Sequence, residues 1–262
     1  MPDGSGVLAD VEPAIAAQKR SDLPVRVASA SVMVMVAGLA LWIGGWILIG
    51  FVIAVMIGVF TEWARLVRAF ELRSVPRGLW LIAGLAYLGL AGFCALVWLA
   101  PLDGGFRPLL WIIACVAGVD IGAYFAGRTF GGPRIAPAIS PSKTWSGLGG
   151  AIAGTWVVGL IGYLYYRADF ASLFNLIEFG QGHEAAVRVA WRTGAEYALF
   201  GIVTAIVAQS GDFFESWMKR RAGVKDSGSL IPGHGGLFDR ADGLIAVLFV
   251  IGIVSLVWSI GH

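Results

Sequence analysis

Long uncharged runs separated by short charged segments set the pattern of this chain. The runs occupy 27–61, 78–102, 144–166 and 243–261, with shorter ones at 108–119, continuing past Asp120 to Gly127, and at 197–211. About 20 helical residues cross the ~30 Å hydrocarbon core of a bilayer. No water is present there to satisfy backbone N–H and C=O groups, so a spanning segment is a helix or part of a closed barrel. These runs are too long and too continuously apolar for the alternating strands of a barrel. The pattern therefore predicts an all-α, polytopic membrane helical bundle with about seven to nine transmembrane helices. The first run would be about 52 Å long as one helix at about 1.5 Å per residue, too long for one span. Gly44 and Gly45 sit near its middle. It divides into spans at 27–43 and 46–61, which brings the count to seven.

Composition and charge sharpen this picture. Hydrophobic residues make up 58% of the chain and charged residues 14%, against about 25% charged in an ordinary soluble protein. With the N-terminus inside and seven crossings, segments 1–26, 62–77, 128–143 and 212–242 lie on the inner side. They hold 15 of the 19 Lys and Arg residues, as the positive-inside rule requires. Merging the first two spans would put Lys19, Arg20 and Arg26 on the face opposite Arg65, Arg68, Arg73 and Arg77. Three regions follow: a cytoplasmic tail at 1–26, expected to be mobile, N-terminal membrane helices at 27–102, and a chemistry-bearing membrane region at 103–262. No removable signal peptide is expected, since 1–26 lacks an apolar h-region with a small-residue cleavage site. Cys94 and Cys115 lie within apolar runs without metal-ligand spacing and read as packing residues. Small-xxx-small pairs such as Gly118/Gly122 and Gly150/Gly154 read as close helix contacts.

The polar density at 209–242 departs from this membrane pattern. Asp212 and Glu215 lie three residues apart at the end of one helix, and Asp239 and Asp242 three apart at the start of the next. Spacing i, i+3 puts each pair on one helical face. Two such pairs at neighbouring helix ends are expected to converge on a hard cation such as Mg²⁺, which takes carboxylates, water and substrate phosphates. Asp226 is a further candidate ligand. Lys219, Arg220, Arg221, Lys225 and Arg240 are interleaved with the acids, a mixture that suits a metal together with a polyanion. Pro232-Gly233-His234-Gly235-Gly236 reads as a loop whose backbone N–H groups approach a phosphate. A solvated loop, with basic residues set by topology and acids paired to them, is the alternative; the two acidic pairs flanking a Gly-His-Gly-Gly turn weigh against it. His183 and His262 have no such company and carry no assignment.

A second polar cluster runs from 120 to 147. Asp120 interrupts an apolar helix, where an ionisable group is costly and functional by default. Tyr124, Arg128 and the loop Ser140-Pro-Ser-Lys-Thr-Trp-Ser-Gly147 follow. Lys143 is the only lysine between Lys19 and Lys219; either it snorkels to the interface or it binds phosphate. Both clusters fall on the inner side, so they are expected to share a cavity.

Between Ser216 and Asp242 the chain resembles the phosphatidate cytidylyltransferase (CDP-diacylglycerol synthase) family. The matching residues are Ser216, Lys219, Arg220, Lys225, Asp226, Gly228, Ile231, Pro232, Gly233, His234, Gly235, Gly236, Asp239, Arg240 and Asp242. Gln209, Gly211, Asp212 and Glu215 lead into that motif. The earlier cluster is similar through Asp120, Ala123, Tyr124, Gly127 and Arg128, and through Ser140, Pro141, Lys143, Thr144, Trp145 and Gly147. Ser142 stands where the family usually has lysine, and Ser146 where it has glutamate. The first hundred residues match only as generic membrane helices.

The resemblance implies Mg²⁺-dependent transfer of CMP from CTP to phosphatidate, giving CDP-diacylglycerol and pyrophosphate. It also implies a metal centre at Asp212, Asp239 and Asp242 and a homodimer in the bilayer, with no nucleic-acid partner. A second, monovalent cation is a further possibility, and an inner-membrane location with a cytoplasmic active site is expected. Lys219, Lys225, Arg240 and His234 are the expected catalytic groups. Asp120, Tyr124, Arg128, Ser140, Lys143, Thr144, Ser216, Arg220, Gly235 and Gly236 are the expected substrate contacts. Two rival readings stay open: a CTP-dependent polyprenol or phytol kinase-like enzyme, whose product is CDP, and a transporter whose acids form an ion path.

Overall fold

The structure is a computed structural model, and it describes residues 5–70, 76–99, 107–166, 183–231, 233 and 235–261. Seven helices run through the described residues: α1 (Ser5–Ile43), α2 (Gly45–Ala69), α3 (Arg77–Leu99), α4 (Arg107–Phe130), α5 (Trp145–Tyr166), α6 (His183–Arg221) and α7 (Phe238–Gly261). Stretches at Pro24–Ile43, Gly45–Ala69, Arg77–Val97, Leu109–Phe130 and Phe238–Val257 are each long and apolar enough to cross a membrane, and Trp145–Ile161 is a shorter apolar helix. The chain is thus the all-α polytopic membrane protein that its hydrophobic runs predict. The break between α1 and α2 falls where expected, because Gly44 and Gly45 take φ of +66° and +50°, conformations open to glycine at little cost.

Three expectations change. The backbone from Ser5 onward is helical and continuous with the first span, where a mobile tail was expected over 1–26. Residues 183–221 form one helix rather than an outer loop followed by a short span at 197–211. The segment after α4 is not simply a loop. Gly131 (φ +59°) and Gly132 (φ +105°) turn the chain out of the helix, and prolines at 133, 137 and 141 favour extended or turn backbone around them. A small antiparallel hairpin results, β1 (Arg134–Ala136) with β2 (Ser140–Thr144), pairing Arg134 with Thr144 and Ala136 with Ser140. Thr144 then caps α5, its Oγ1 accepting the Gly147 N–H at 3.1 Å.

Glycine sets the closest helix contact. A Cβ at Gly122 would lie 2.1 Å from the Gly150 carbonyl oxygen, and one at Gly154 would lie 2.2 Å from that of Gly118. These are backbone atoms that cannot swing aside, so α4 and α5 approach as closely as they do only because both lack side chains there. On the other side an aromatic cluster joins α2, α3, α6 and α7. Trp63 meets Tyr87, Phe214 and Phe238 at ring-centroid distances of 5.7–6.0 Å. Its Nε1–H donates to the Trp80 carbonyl at 2.9 Å. Cys94 and Cys115 are buried, as the packing reading requires. The charged end of α6 and the start of α7 are therefore held against the N-terminal helices.

Candidate active site

Local sequence explains how the two helix ends meet. Helix α6 closes in a Schellman motif: Val224 N–H bonds the Lys219 carbonyl at 3.0 Å and Gly223 N–H bonds that of Arg220 at 3.1 Å. Gly223 takes φ of +69°, the left-handed cap such an ending needs. The chain returns through Ser227 and a narrow turn in which Ile231 N–H donates to the Gly235 carbonyl at 3.0 Å. Gly235 has φ of +82°, and a Cβ there would lie 2.7 Å from Asp239 Oδ2. Helix α7 then starts beside α6 with almost no clearance, since a Cβ at Gly211 would lie 2.7 Å from the Asp242 carbonyl oxygen.

Two groups of charged residues occupy this junction. In the first, Lys219 Nζ bridges Glu215 at 2.6 Å and Asp239 Oδ1 at 2.7 Å. Asp239 Oδ2 accepts the Gly236 N–H at 2.8 Å, and the Ser227 N–H and Oγ at 3.0 Å each. Glu215 is 1% exposed, and its Oε1 finds no hydrogen-bond partner among the described residues. Burial raises its carboxyl above the ordinary glutamate range; Asp239 adds to the rise and Lys219 opposes it.

The second group faces a cavity of about 400 Å³ between α4, the hairpin and the start of α5. Asp120, Tyr124, Gly127, Arg128, Lys143 and Thr144 line it, with Gln209 from α6. Lys143 Nζ is ion-paired with Asp212. The Asp242 carboxylate interacts electrostatically with Asp212, Asp120 and Lys143, and Asp120 likewise feels Arg240. Arg128 donates to Tyr124 Oη at 3.0 Å. The two polar clusters of the sequence therefore do share one cavity, joined by Lys143 and Asp212. Ser146, at the position usual for glutamate, donates to the Gly131 carbonyl and bonds Thr144 Oγ1 at 3.0 Å, so a hydroxyl braces the hairpin there.

The expected acids do not form one group. Asp212 and Asp242 lie within electrostatic reach of Asp120, whereas Asp239 and Glu215 are drawn to Lys219. Among the described residues no three His, Cys, Asp or Glu side chains stand close enough to hold a metal together. Of the other expected residues, Ser216 reaches Asp212 at 3.4 Å. Ser140 is buried within β2, and Arg220, Lys225, Asp226 and Arg240 are exposed. His234 lies outside the described residues. Gly235 and Gly236 pack against Asp239 and Ser227.

Two residues emerge beyond those expected to act: Gln209, which only leads into the motif, and Glu62. Gln209 is buried, and its Nε2 finds no acceptor among the described residues although the side chain borders the cavity. Glu62, on α2, is 2% exposed and accepts hydrogen bonds from Ser227 Oγ, Leu237 N–H and Phe238 N–H at 2.8–3.0 Å. One signal for Glu62 was present: it is the first acid after Asp22 and ends an uncharged run, and an ionisable group in such a helix is costly.

Comparison with known proteins agrees with these motifs. The Cytidylyltransferase family profile matches residues 73–258. The chain is 41% identical to a phosphatidate cytidylyltransferase of Brucella suis over 182 residues, covering 67% of this chain and 57% of that protein. It is 31% identical to the phosphatidate cytidylyltransferase of Rickettsia felis over 205 residues, covering 78% of this chain and 79% of the relative. The Pseudomonas aeruginosa enzyme of the same name is 35% identical over 161 residues, covering 62% and 50%. The chain spans little more than half the length of the first of these relatives. The matched stretch contains every described residue that lines the cavity and the described partners of Lys219, and with the profile matching well over half of the chain, the chain belongs to the cytidylyltransferase family.

Proposed function

We propose that this protein transfers CMP from CTP to phosphatidate, releasing pyrophosphate and forming CDP-diacylglycerol. The observation that carries the reading is the junction of Lys143 with Asp212, which draws both polar clusters to one cavity of mixed charge. An oxygen of the phosphatidate phosphate attacks the α-phosphorus of CTP; the bond to the β-phosphate's bridging oxygen breaks and pyrophosphate leaves with its electron pair. The nucleophile is already anionic at neutral pH, so no strong general base is needed. The difficulty is to bring two polyanions together and to neutralise charge on the transferring group, which is a matter of positioning and cations.

Lys143 and Arg128 on the cavity wall, with Arg240 nearby, supply fixed positive charge for phosphates. Gln209 Nε2, buried without an acceptor, is suited to donate to a substrate oxygen. The donor set also suits Mg²⁺, which is held by one or two carboxylates while waters and substrate phosphates complete its shell. Asp212 and Asp242 would hold it, with Asp120 beside them; Asp239, whose oxygens already take an ammonium, two N–H groups and a hydroxyl, would not. When bound, the ion would neutralise phosphate charge and align the nucleotide. Lys219 is then a positioning residue that fixes α6 against α7, rather than a phosphate ligand. The basic segments around it support a reaction on the cytoplasmic face of the plasma membrane, in a protein proposed to work as a homodimer.

The test is an assay of the purified chain with labelled CTP and phosphatidate, with and without Mg²⁺. Pyrophosphate and a labelled lipid are expected. Release of CDP instead would identify a kinase-like reaction, and no consumption of CTP would sink the enzymatic reading.

A further inference from the structure

Glu62 lies on α2, eleven residues before the region matched by the family profile, and it is the only acid of that helix. Its carboxylate nevertheless reaches the signature segment. Oε1 accepts the Leu237 N–H at 3.0 Å, and Oε2 accepts the Phe238 N–H at 2.9 Å and the Ser227 hydroxyl at 2.8 Å. The first N–H groups of a helix have no intrahelical partner. Here they are satisfied by a side chain from a helix some 175 positions away in sequence. The same Ser227 hydroxyl, with a single hydrogen to share, also lies 3.0 Å from Asp239 Oδ2, so it sits between the Glu62 and Asp239 carboxylates.

The glycines of the signature are fitted to this carboxylate. A Cβ at Gly228 would lie 2.4 Å from Glu62 Oε1, and one at Gly236 would lie 2.3 Å from Oε2. Gly228 has no positive φ, so backbone strain does not explain it; room for Glu62 does. Leu237 is also gripped from α2, its Cδ1 lying 2.5 Å from where a Cβ on Gly58 would stand.

From this geometry we infer that Glu62 is a positioning residue for the nucleotidyl-transfer site, holding the Ser227 turn and the first turn of α7 so that Asp239 meets Lys219. The inference rests on the proposed activity and extends the working site into the N-terminal helices. A cap that served stability alone would change melting temperature and nothing per folded molecule. A positioning residue changes turnover, because displacing a catalytic group by about 1 Å can lower rates by about a hundredfold.

The experiment compares the full-length wild type with E62Q, E62D and E62A in detergent supplemented with phosphatidate. Steady-state kinetics are measured across Mg²⁺ concentrations on the folded, monodisperse fraction. Gln keeps the shape of Glu but turns an N–H toward one of its donors. E62Q is therefore expected to lower kcat by about ten- to a hundredfold and to raise the Mg²⁺ concentration at half-maximal rate, with KM for phosphatidate little changed. G228A, which would drive a methyl group into Oε1 while leaving Glu62 in place, should reproduce the defect, and S227A should show a smaller one. Folded E62Q with turnover and Mg²⁺ dependence like wild type would overturn the inference. Should the Glu62 variants not fold, G228A and S227A decide, and wild-type turnover in both would overturn it. A wild-type protein that releases no pyrophosphate sinks the activity reading and this inference together, whereas active wild type with unaffected variants sinks the inference alone.

Discussion

At the scale of single residues, three lysines of the two polar clusters have distinct surroundings. Lys143 pairs with Asp212 at the cavity, Lys219 is enclosed by Glu215 and Asp239, and Lys225 is exposed. Their substitutions should therefore separate. A charged hydrogen bond is worth about 1.5–3 kcal/mol, so K143A should lower kcat/KM for CTP by roughly ten- to a hundredfold with little change in melting temperature. Steady-state kinetics and thermal unfolding of the same preparation check both halves. K219M instead strands two buried carboxylates, and breaking a buried ion pair from one side costs about 3–5 kcal/mol. It should lower the melting temperature sharply; a folded K219M of unchanged stability would refute the bridging role. Substituting Asp212 with Ala should abolish pyrophosphate release, and undiminished activity would refute its assignment to the metal.

At the scale of elements, the contact between α4 and α5 decides whether the cavity exists. Asp120, Tyr124, Gly127 and Arg128 come from α4, while the hairpin and α5 supply the facing wall. The backbone-to-backbone approach at Gly118, Gly122, Gly150 and Gly154 sets the distance between them. G122A places its methyl against the Gly150 carbonyl, an atom that cannot yield without moving a helix. It should lose CTP-dependent activity, and it should unfold at a lower temperature than G149A, which opens onto free space. Equal behaviour of the two variants would show that the glycine contact is not what shapes the site. The i, i+3 spacing of Asp212 with Glu215 and of Asp239 with Asp242 was legible in the sequence, as was the split at Gly44. The partition of the four acids was not, because it depends on which of them Lys219 reaches, and that follows from how α6 lies across α7.

At the scale of the whole molecule, charge and orientation make a prediction of their own. If the basic segments face the cytoplasm, the turn at 222–230 is accessible from that side only. Cys94 and Cys115 are buried, which gives a low background for labelling. A cysteine replacing exposed Lys225 should react with an impermeant maleimide in inside-out vesicles and not in right-side-out ones. The opposite result would invert the topology.

The chain's own order of apolar and charged residues determined that it is a bundle of membrane helices, where the first run breaks, and which two segments hold the polar clusters. Hydrophobic length and local motif spacing are properties of neighbouring residues, so they are readable without coordinates. Only the tertiary structure decided that Lys143 meets Asp212, that Asp239 turns toward Lys219, and that Glu62 closes the start of α7. Each of these is a contact between separate elements of the fold. Where a charged group finds its partner is set by how the helices pack, and no pattern along a single helix records it.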